Sequence, residues 1–190
     1  MKKQLLKFSL LLFGSSVLML SSCKKETEAG ETNDEEVITT MQLTFVPQGG
    51  GATVTYKFDD PDGPGGTAAT QDQIVLAANK TYSATVQLLN KTVTPVADIT
   101  LEVAAEPQSH RFYFEPSAGS NITVTGLNND PSGIPLGITG IWTTGAAATG
   151  TVKVTLRHYP GTPPNKVASD LVNSSKSSTD IEVNFSTRIQ

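Results

Sequence analysis

Hydrophobic and polar residues alternate with a period of two along most of the chain from Val37 onward. Apolar side chains at every second position are typical of a strand that buries one face and exposes the other to solvent. The intervening positions favour threonine, a residue with a high strand propensity. Runs with this alternation lie at 41–45, 54–58, 82–88, 112–114, 122–124, 152–156 and 181–189.

Turn-forming residues separate these runs, because glycine, proline, asparagine and aspartate cluster between them. The clusters lie at 49–51, 59–66, 79–80, 128–137 and 159–165. Only 98–105 could form a short helical turn, and it could equally form a strand. We therefore predict an all-β fold over residues 37–190, an antiparallel β-sandwich of immunoglobulin-like or similar Greek-key topology. The first hairpin is expected at 43–58, and the last strand is expected to run to Ile189.

The N-terminus has the pattern of a bacterial lipoprotein signal. Three lysines within the first seven residues precede an apolar run over 8–20, which is shorter than the roughly 20 residues of a membrane span but fits a secretory signal. Leu20-Ser21-Ser22-Cys23 then matches a lipobox. We predict a signal peptide over 1–22, with lipidation of Cys23. The alternative is an ordinary signal peptide beside a chance cysteine.

Cys23 is the single cysteine of the chain, so its acylation would exclude disulfides, thiolate catalysis and cysteine metal ligands. Attached acyl chains would anchor the protein to the outer membrane. Six acidic residues follow within 24–36, and this composition predicts a disordered, lipidated tether over 23–36. The tether is either a plain spacer or, since Lys25-Glu26 resembles the acidic export tag of surface lipoproteins, a signal for display at the cell surface rather than in the periplasm.

Charge narrows the range of partners. The 190 residues carry a net charge of −4, and loss of Lys2, Lys3 and Lys7 with the leader leaves 11 basic against 18 acidic residues, a net charge of −7. An acidic domain without a basic patch argues against nucleic acid as a partner, because nucleic-acid binding depends on neutralising phosphates. The expected partners are the membrane, through the lipid on Cys23, and a protein or glycan of unknown identity.

The whole chain resembles a family of small Bacteroidota lipoproteins. The resemblance is carried by Leu43-Thr44-Phe45-Val46-Pro47 with the glycine triplet, by 60–66, by 82–90, by Trp142-Thr143-Thr144-Gly145 and by 154–158. Members are often labelled as having a type 1 periplasmic binding fold, which consists of two α/β lobes with parallel sheets. Parallel sheets need crossover connections that are usually helical, and the period-two pattern predicts none. The resemblance therefore implies a location and an architecture, without a function.

The two histidines of the chain, His110 and His158, are the first candidate metal ligands. His110 shares the parity of Phe112 and Phe114, and His158 shares that of Val154 and Leu156. Both histidines are therefore expected at the core-facing side of strand ends. If their strands are neighbours, the imidazoles could meet and bind a metal with a nearby glutamate, either Glu106 or Glu115. The alternative is a pair of hydrogen-bonded histidines at the core edge, since zinc needs four ligands, or three and a water.

Asp60 and Asp62 form the second candidate metal site. The segment 60–66 resembles the beginning of a calcium-binding loop, in which oxygens from alternating positions converge on the ion. Asp59 could add a third carboxylate, but Pro64 stands where the loop needs another oxygen ligand. The alternative is a turn between two strands, which the proline, glycine and aspartate content favours.

Trp142 and Tyr159 are candidate ligand-binding aromatics, because both lie near loops and could stack on a sugar or a peptide. The alternative is that they close the end of a sandwich core. Loops carry function on rigid scaffolds, so we expect any partner to contact 59–66, 128–137 or 159–165. The alternative for 128–137 is that Ile134 and Leu136 fold back onto the core.

No nucleophile-elbow, zinc-protease, Walker or dinucleotide-binding motif is present in the sequence, so neither catalysis nor a cofactor is expected. The sequence predicts a non-catalytic cell-envelope lipoprotein, an adhesive, scaffolding or accessory binding module at the outer membrane. The alternative is a lipoprotein that binds a small ligand or a metal ion through His110 and His158 or through the 60–66 loop.

Overall fold

The computed structural model describes residues 36–190 as two β-sheets packed into a sandwich, with one short helix. The predicted all-β sandwich is therefore confirmed. The first sheet consists of β1 (Thr40–Pro47), β2 (Val54–Asp59), β3 (Thr70–Gln71), β5 (Thr81–Asn90), β6 (Ala97–Asp98), β8 (Ile122–Thr125) and β9 (Thr139–Thr144). The second consists of β4 (Ile74–Leu76), β7 (His110–Pro116), β10 (Ala148–His158) and β11 (Ser178–Ile189).

The strand order is β3-β2-β1-β5-β9-β8 in the first sheet, where β6 also pairs with β5, and β4-β11-β10-β7 in the second. β1 and β2 form the expected first hairpin, with Phe45 opposite Val54. The turn between them contains Gly49, Gly50 and Gly51, all with positive φ. Only glycine adopts such values without strain, so the glycine triplet allows this turn.

The core lies between the sheets and consists of the alternating apolar side chains. Trp142 on β9 packs edge-on against Phe45 of its own sheet, with ring centroids 5.0 Å apart, and against Phe114 of the opposite sheet at 5.8 Å. The predicted core positions Val154, Leu156, Val183 and Phe185 are all buried, and Ile181 is half-buried. The period-two pattern therefore assigned the buried face of these strands correctly.

Two features differ from a purely antiparallel sandwich. β4 pairs with β11 in parallel, with Ile74 opposite Thr187, whereas the other pairings among the described strands are antiparallel. Most of the fold lies between β4 and β11 in the chain, which supplies the long crossover that a parallel pair needs. The ambiguous segment 98–105 forms helix α1 (Ile99–Ala105), which begins where the Asp98 side chain accepts a hydrogen bond from the Thr100 backbone N–H at 3.0 Å.

A long loop, 159–177, joins β10 to β11 and is fastened over the beginning of β7. Lys166 in this loop donates to the backbone carbonyls of Pro107 at 2.7 Å and His110 at 2.9 Å. Its ammonium nitrogen also lies 2.9 Å from a carboxylate oxygen of Asp130. The loop is therefore an ordered part of the domain, and it lies directly beside the backbone of His110.

The predicted signal peptide and lipidated Cys23 lie outside the described residues, as does all of the acidic tether except Glu36. None of the helices within residues 36–190 combines the length and the apolar character that crossing a membrane requires.

Candidate metal-binding site

His110 and His158 meet in the structure. They are direct cross-strand partners, because His110 begins β7 and His158 ends β10 in an antiparallel pair. Their rings stack with centroids 4.7 Å apart and planes inclined by 29°. His110 is completely buried, and His158 is half-buried. The structure therefore agrees with the parity and the strand-end positions predicted from the sequence, and it places the two imidazoles side by side.

A β-bulge adds a third side chain from the next strand. Leu156 pairs with Ile181, but Arg157 pairs with Thr179, so Asp180 is an extra residue of β11 at this point. In a regular strand, Asp180 would lie on the face opposite Ile181. A bulge changes the direction in which a side chain points, and bulges are common beside functional sites. Both carboxylate oxygens of Asp180 are shielded from solvent.

The three side chains converge. One ligand atom from each of His110, His158 and Asp180 lies within 4.8 Å of the others. Within residues 36–190, no other group of three histidine or carboxylate side chains does so. The three residues come from adjacent strands β7, β10 and β11 of the second sheet, so the strand framework itself holds the cluster.

The carboxylate of this cluster was wrongly expected to be a glutamate. Glu115 is instead paired with Lys153, whose ammonium nitrogen lies 3.2 Å from it. Glu106 contributes only its backbone carbonyl. Asp180 was missed because no local pattern marks a bulge inside a run of alternating residues, and β11 has such a run.

Hydrogen bonding determines which nitrogen of His110 can bind a metal. The Nδ1 atom of His110 lies 3.1 Å from the backbone oxygen of Glu106. A carbonyl oxygen can only accept, so Nδ1 carries the proton and Nε2 has the free lone pair. This Nε2 atom is buried and has no hydrogen-bond partner among residues 36–190, and the same holds for Nδ1 of His158. Two buried imidazole nitrogens without a partner are unusual in a folded protein.

Burial lowers the pKa of His110 to about 4, and the nearby charge of Lys166 acts in the same direction, whereas the hydrogen bond to Glu106 acts against both. The imidazole is therefore neutral at pH 7, which is the form that binds metals. The lowered pKa follows from the position of His110 at the buried beginning of β7.

The aspartates of the 60–66 loop do not form a comparable site. A carboxylate oxygen of Asp62 accepts a hydrogen bond from the Thr67 backbone N–H at 2.8 Å, and the Gly63 N–H donates to the Asp60 backbone carbonyl at 3.0 Å. The carboxylate of Asp59 is occupied by Lys91, at 2.6 Å, and by Thr40. This geometry is that of a turn between strands, the alternative interpretation of the segment.

Trp142 and Tyr159 do not offer ring faces to a ligand. Trp142 is 1% exposed and Tyr159 is 0% exposed. Tyr159 also shares a hydrogen bond with Tyr113, with the hydroxyl oxygens 2.6 Å apart. The expectation that these aromatics stack on a sugar or peptide is corrected here, since both belong to the interior. Leu136 is likewise buried, so the 128–137 loop folds back onto the core.

We found no matching family model, curated protein or solved structure for this chain. The resemblance to small Bacteroidota lipoproteins stays a prediction. The function must be inferred from the chain's own residues, among which the His110, His158 and Asp180 cluster is the most specific.

Proposed function

We propose that the protein is a non-catalytic lipoprotein of the cell envelope whose sandwich domain binds a divalent metal ion. The ion is bound by His110, His158 and Asp180, and the domain is anchored to the outer membrane through acylated Cys23. The convergence of three ligand side chains within 4.8 Å is the observation that carries this proposal. Three protein ligands, completed by water or another small ligand, are a common arrangement for protein-bound zinc.

The state of the ligands supports the proposal. His110 is neutral at pH 7 and has its proton held on Nδ1 by Glu106. A backbone carbonyl that orients a histidine in this way is typical of metal sites, where it fixes the tautomer of the ligand. A pair of core-edge histidines joined by a hydrogen bond is the competing interpretation, but the buried Nε2 of His110 and Nδ1 of His158 have no partner among residues 36–190.

The burial of the site supports binding rather than catalysis. His110 is 0% exposed, and the oxygens of Asp180 are shielded from solvent. The cluster is thus suited to holding an ion for storage, carriage or structural support.

A second candidate function is an adhesive or scaffolding module that binds a protein or glycan. The observation that favours it is the surface of the 159–177 loop, where Leu171 is 69% exposed and Val167 is 42% exposed. Exposed apolar side chains on an ordered loop can be covered by a partner. The two functions are compatible, because this loop is fastened beside His110 through Lys166.

Elemental analysis of the purified full-length protein in detergent tests the proposal. The protein is stripped with a chelator, exposed to a mixture of divalent ions and passed through a desalting column. We expect one retained ion per chain and loss of that ion in His110→Gln. Glu182→Gln is the matched control, since Glu182 neighbours Asp180 on β11 but is exposed. Retention of no ion, or equal retention in His110→Gln, would show that the site is not a metal site.

A further inference from the structure

We propose, resting on the metal-binding function above, that the ion is a borderline transition-metal cation of the Zn²⁺ class and that Ca²⁺ and Mg²⁺ are rejected. The ligand atoms are Nε2 of His110, Nδ1 of His158 and one carboxylate oxygen of Asp180. A fourth position is left for water or a small exogenous ligand.

The donor set determines the class of ion. Two imidazole nitrogens and one carboxylate oxygen suit zinc and its neighbours in the first transition row. Calcium needs six to eight oxygen ligands, and magnesium needs an octahedron of oxygens. Glu115 and Glu182, the other carboxylates on β7 and β11, both pair with Lys153. Asp180 is the one carboxylate in the described cluster, so a hard cation would lack oxygen ligands.

The surrounding charges permit a cation at this position. Lys166 binds the backbone carbonyl of His110 and would by itself repel a metal ion. Its charge is compensated by Asp130, whose carboxylate oxygen lies 2.9 Å from the ammonium nitrogen. The ion pair with Asp130 therefore reduces the repulsion that Lys166 would exert on a cation at this position.

The cluster needs a small contraction to bind the ion. The ligand atoms lie up to 4.8 Å apart, whereas ligand atoms around a tetrahedral zinc ion are separated by about 3.3 Å. His158 and Asp180 are half-buried and lie at the end of β10 and in the bulge of β11. Binding would therefore require these two side chains to rotate toward His110, which the Glu106 carbonyl holds in place.

Competition binding on the full-length protein in detergent tests the ion class. The chelator-treated protein is titrated with Zn²⁺ by calorimetry, alone and in a large excess of Ca²⁺ and Mg²⁺. Co²⁺ is then substituted, and its visible absorption reports the coordination geometry. We expect one Zn²⁺ per chain, no displacement by Ca²⁺ or Mg²⁺, and the intense absorption of four- or five-coordinate Co²⁺.

Variants assign the ligands. Asp180→Asn should weaken Zn²⁺ binding by at least about 10-fold and His110→Gln by at least about 100-fold, since ligand loss should cost as much as or more than the 10–100-fold typical of outer-shell changes. Glu182→Gln should bind like the unmodified protein. Circular dichroism of each variant separates loss of a ligand from loss of the fold. In the unmodified protein, ¹⁵N chemical shifts of His110 should show the proton on Nδ1. This measurement does not depend on whether the variants fold.

The outcomes separate this inference from the proposed function. Binding of Ca²⁺ or Mg²⁺ that depends on His110 and Asp180 would overturn the ion class but keep metal binding. Zn²⁺ binding that survives Asp180→Asn unchanged in a folded protein would overturn the assigned ligand set. Absence of binding by every ion would overturn both.

Discussion

Lys166 and Asp130 form an ion pair in the interior, with the ammonium nitrogen 2.9 Å from a carboxylate oxygen and each side chain only 1% exposed. Burial alone would raise the pKa of Asp130, but Lys166 and the backbone N–H groups of Ile134 and Ser132 together lower it, so Asp130 is ionised at pH 7. Lys166 also donates to the carbonyls of Pro107 and His110. The pair therefore joins the 128–137 and 159–177 loops to the beginning of β7, where His110 lies.

Replacing Lys166 should destabilise the domain strongly. Lys166→Met leaves the carboxylate of Asp130 buried without its counter-ion, and breaking a buried pair in this way costs about 3–5 kcal/mol. The free energy of unfolding from urea titration measures the effect. Lys80→Met is the matched control, because Lys80 is exposed and surface changes cost about 0.5 kcal/mol or less. Similar costs for both variants would contradict the buried pair.

The two faces of β11 should respond differently to truncation. Phe185 is 0% exposed in the core, so Phe185→Ala should destabilise the domain by about 3–5 kcal/mol. Its neighbour Asn184 is exposed, and Asn184→Ala should cost about 0.5 kcal/mol or less. The free energy of unfolding of each variant is measured by chemical denaturation under the same conditions. Equal losses would mean that the alternation on β11 is assigned to the wrong faces.

Asp59 should contribute to stability above pH 4 and lose that contribution in acid. Burial alone would raise its pKa, but hydrogen bonds from Lys91, Thr40 and Lys57 lower it to about 2. A lowered folded-state pKa stabilises above the unfolded value of 3.8, and the contribution of at most about 2 kcal/mol is lost as the pH falls toward 2. Urea midpoints between pH 5 and 2 measure this loss.

The matched variants for this acid effect are Asp59→Asn and Asp72→Asn. Asp59→Asn removes the titrating group, so its stability should change less between pH 5 and 2 than that of the unmodified protein. Asp72→Asn removes an exposed carboxylate and shows how much the loss of any acidic side chain changes the profile. An unaltered profile in Asp59→Asn would show that other carboxylates cause the acid loss.

Zinc should stabilise the folded domain, because the proposed site would join β7, β10 and β11 through one ion. A ligand that binds only the folded state adds about 2.7 kcal/mol at 100 times its Kd. Thermal unfolding with and without Zn²⁺ measures the shift in Tm. His158→Ala should remove the shift, whereas Glu182→Gln should keep it. A shift that persists in folded His158→Ala would place the stabilising ion elsewhere.

Cys23→Ala should release the protein from the membrane. Cys23 is the single cysteine of the chain and completes the lipobox, and acyl chains on it are the expected anchor. Fractionation of cells that express the variant measures the distribution between membrane and soluble fractions. Ser22→Ala is the control, because it keeps a small residue before the cysteine. Detergent-dependent membrane association of Cys23→Ala would contradict lipid anchoring.

Much of the site's framework could be predicted from the sequence, because strand periodicity is local. The side-chain period of two placed His110 with Phe112 on the buried face of one strand and His158 with Leu156 on that of another. It could not predict Asp180, since the bulge arises in the pairing of β10 with β11. It also missed Lys166 and Asp130, whose contact joins two loops 36 positions apart in the chain.

The sequence by itself determined that the domain is an all-β sandwich and which face of its main strands is buried, because alternating polarity is decided within a few residues. Only the tertiary structure decided which strands are neighbours, where a strand bulges and which polar groups are buried. These features depend on packing between segments that are distant in the chain. For example, β4 pairs with β11 although most of the fold lies between them in the sequence. Asp180 reaches His110 only because β10 lies between β7 and β11.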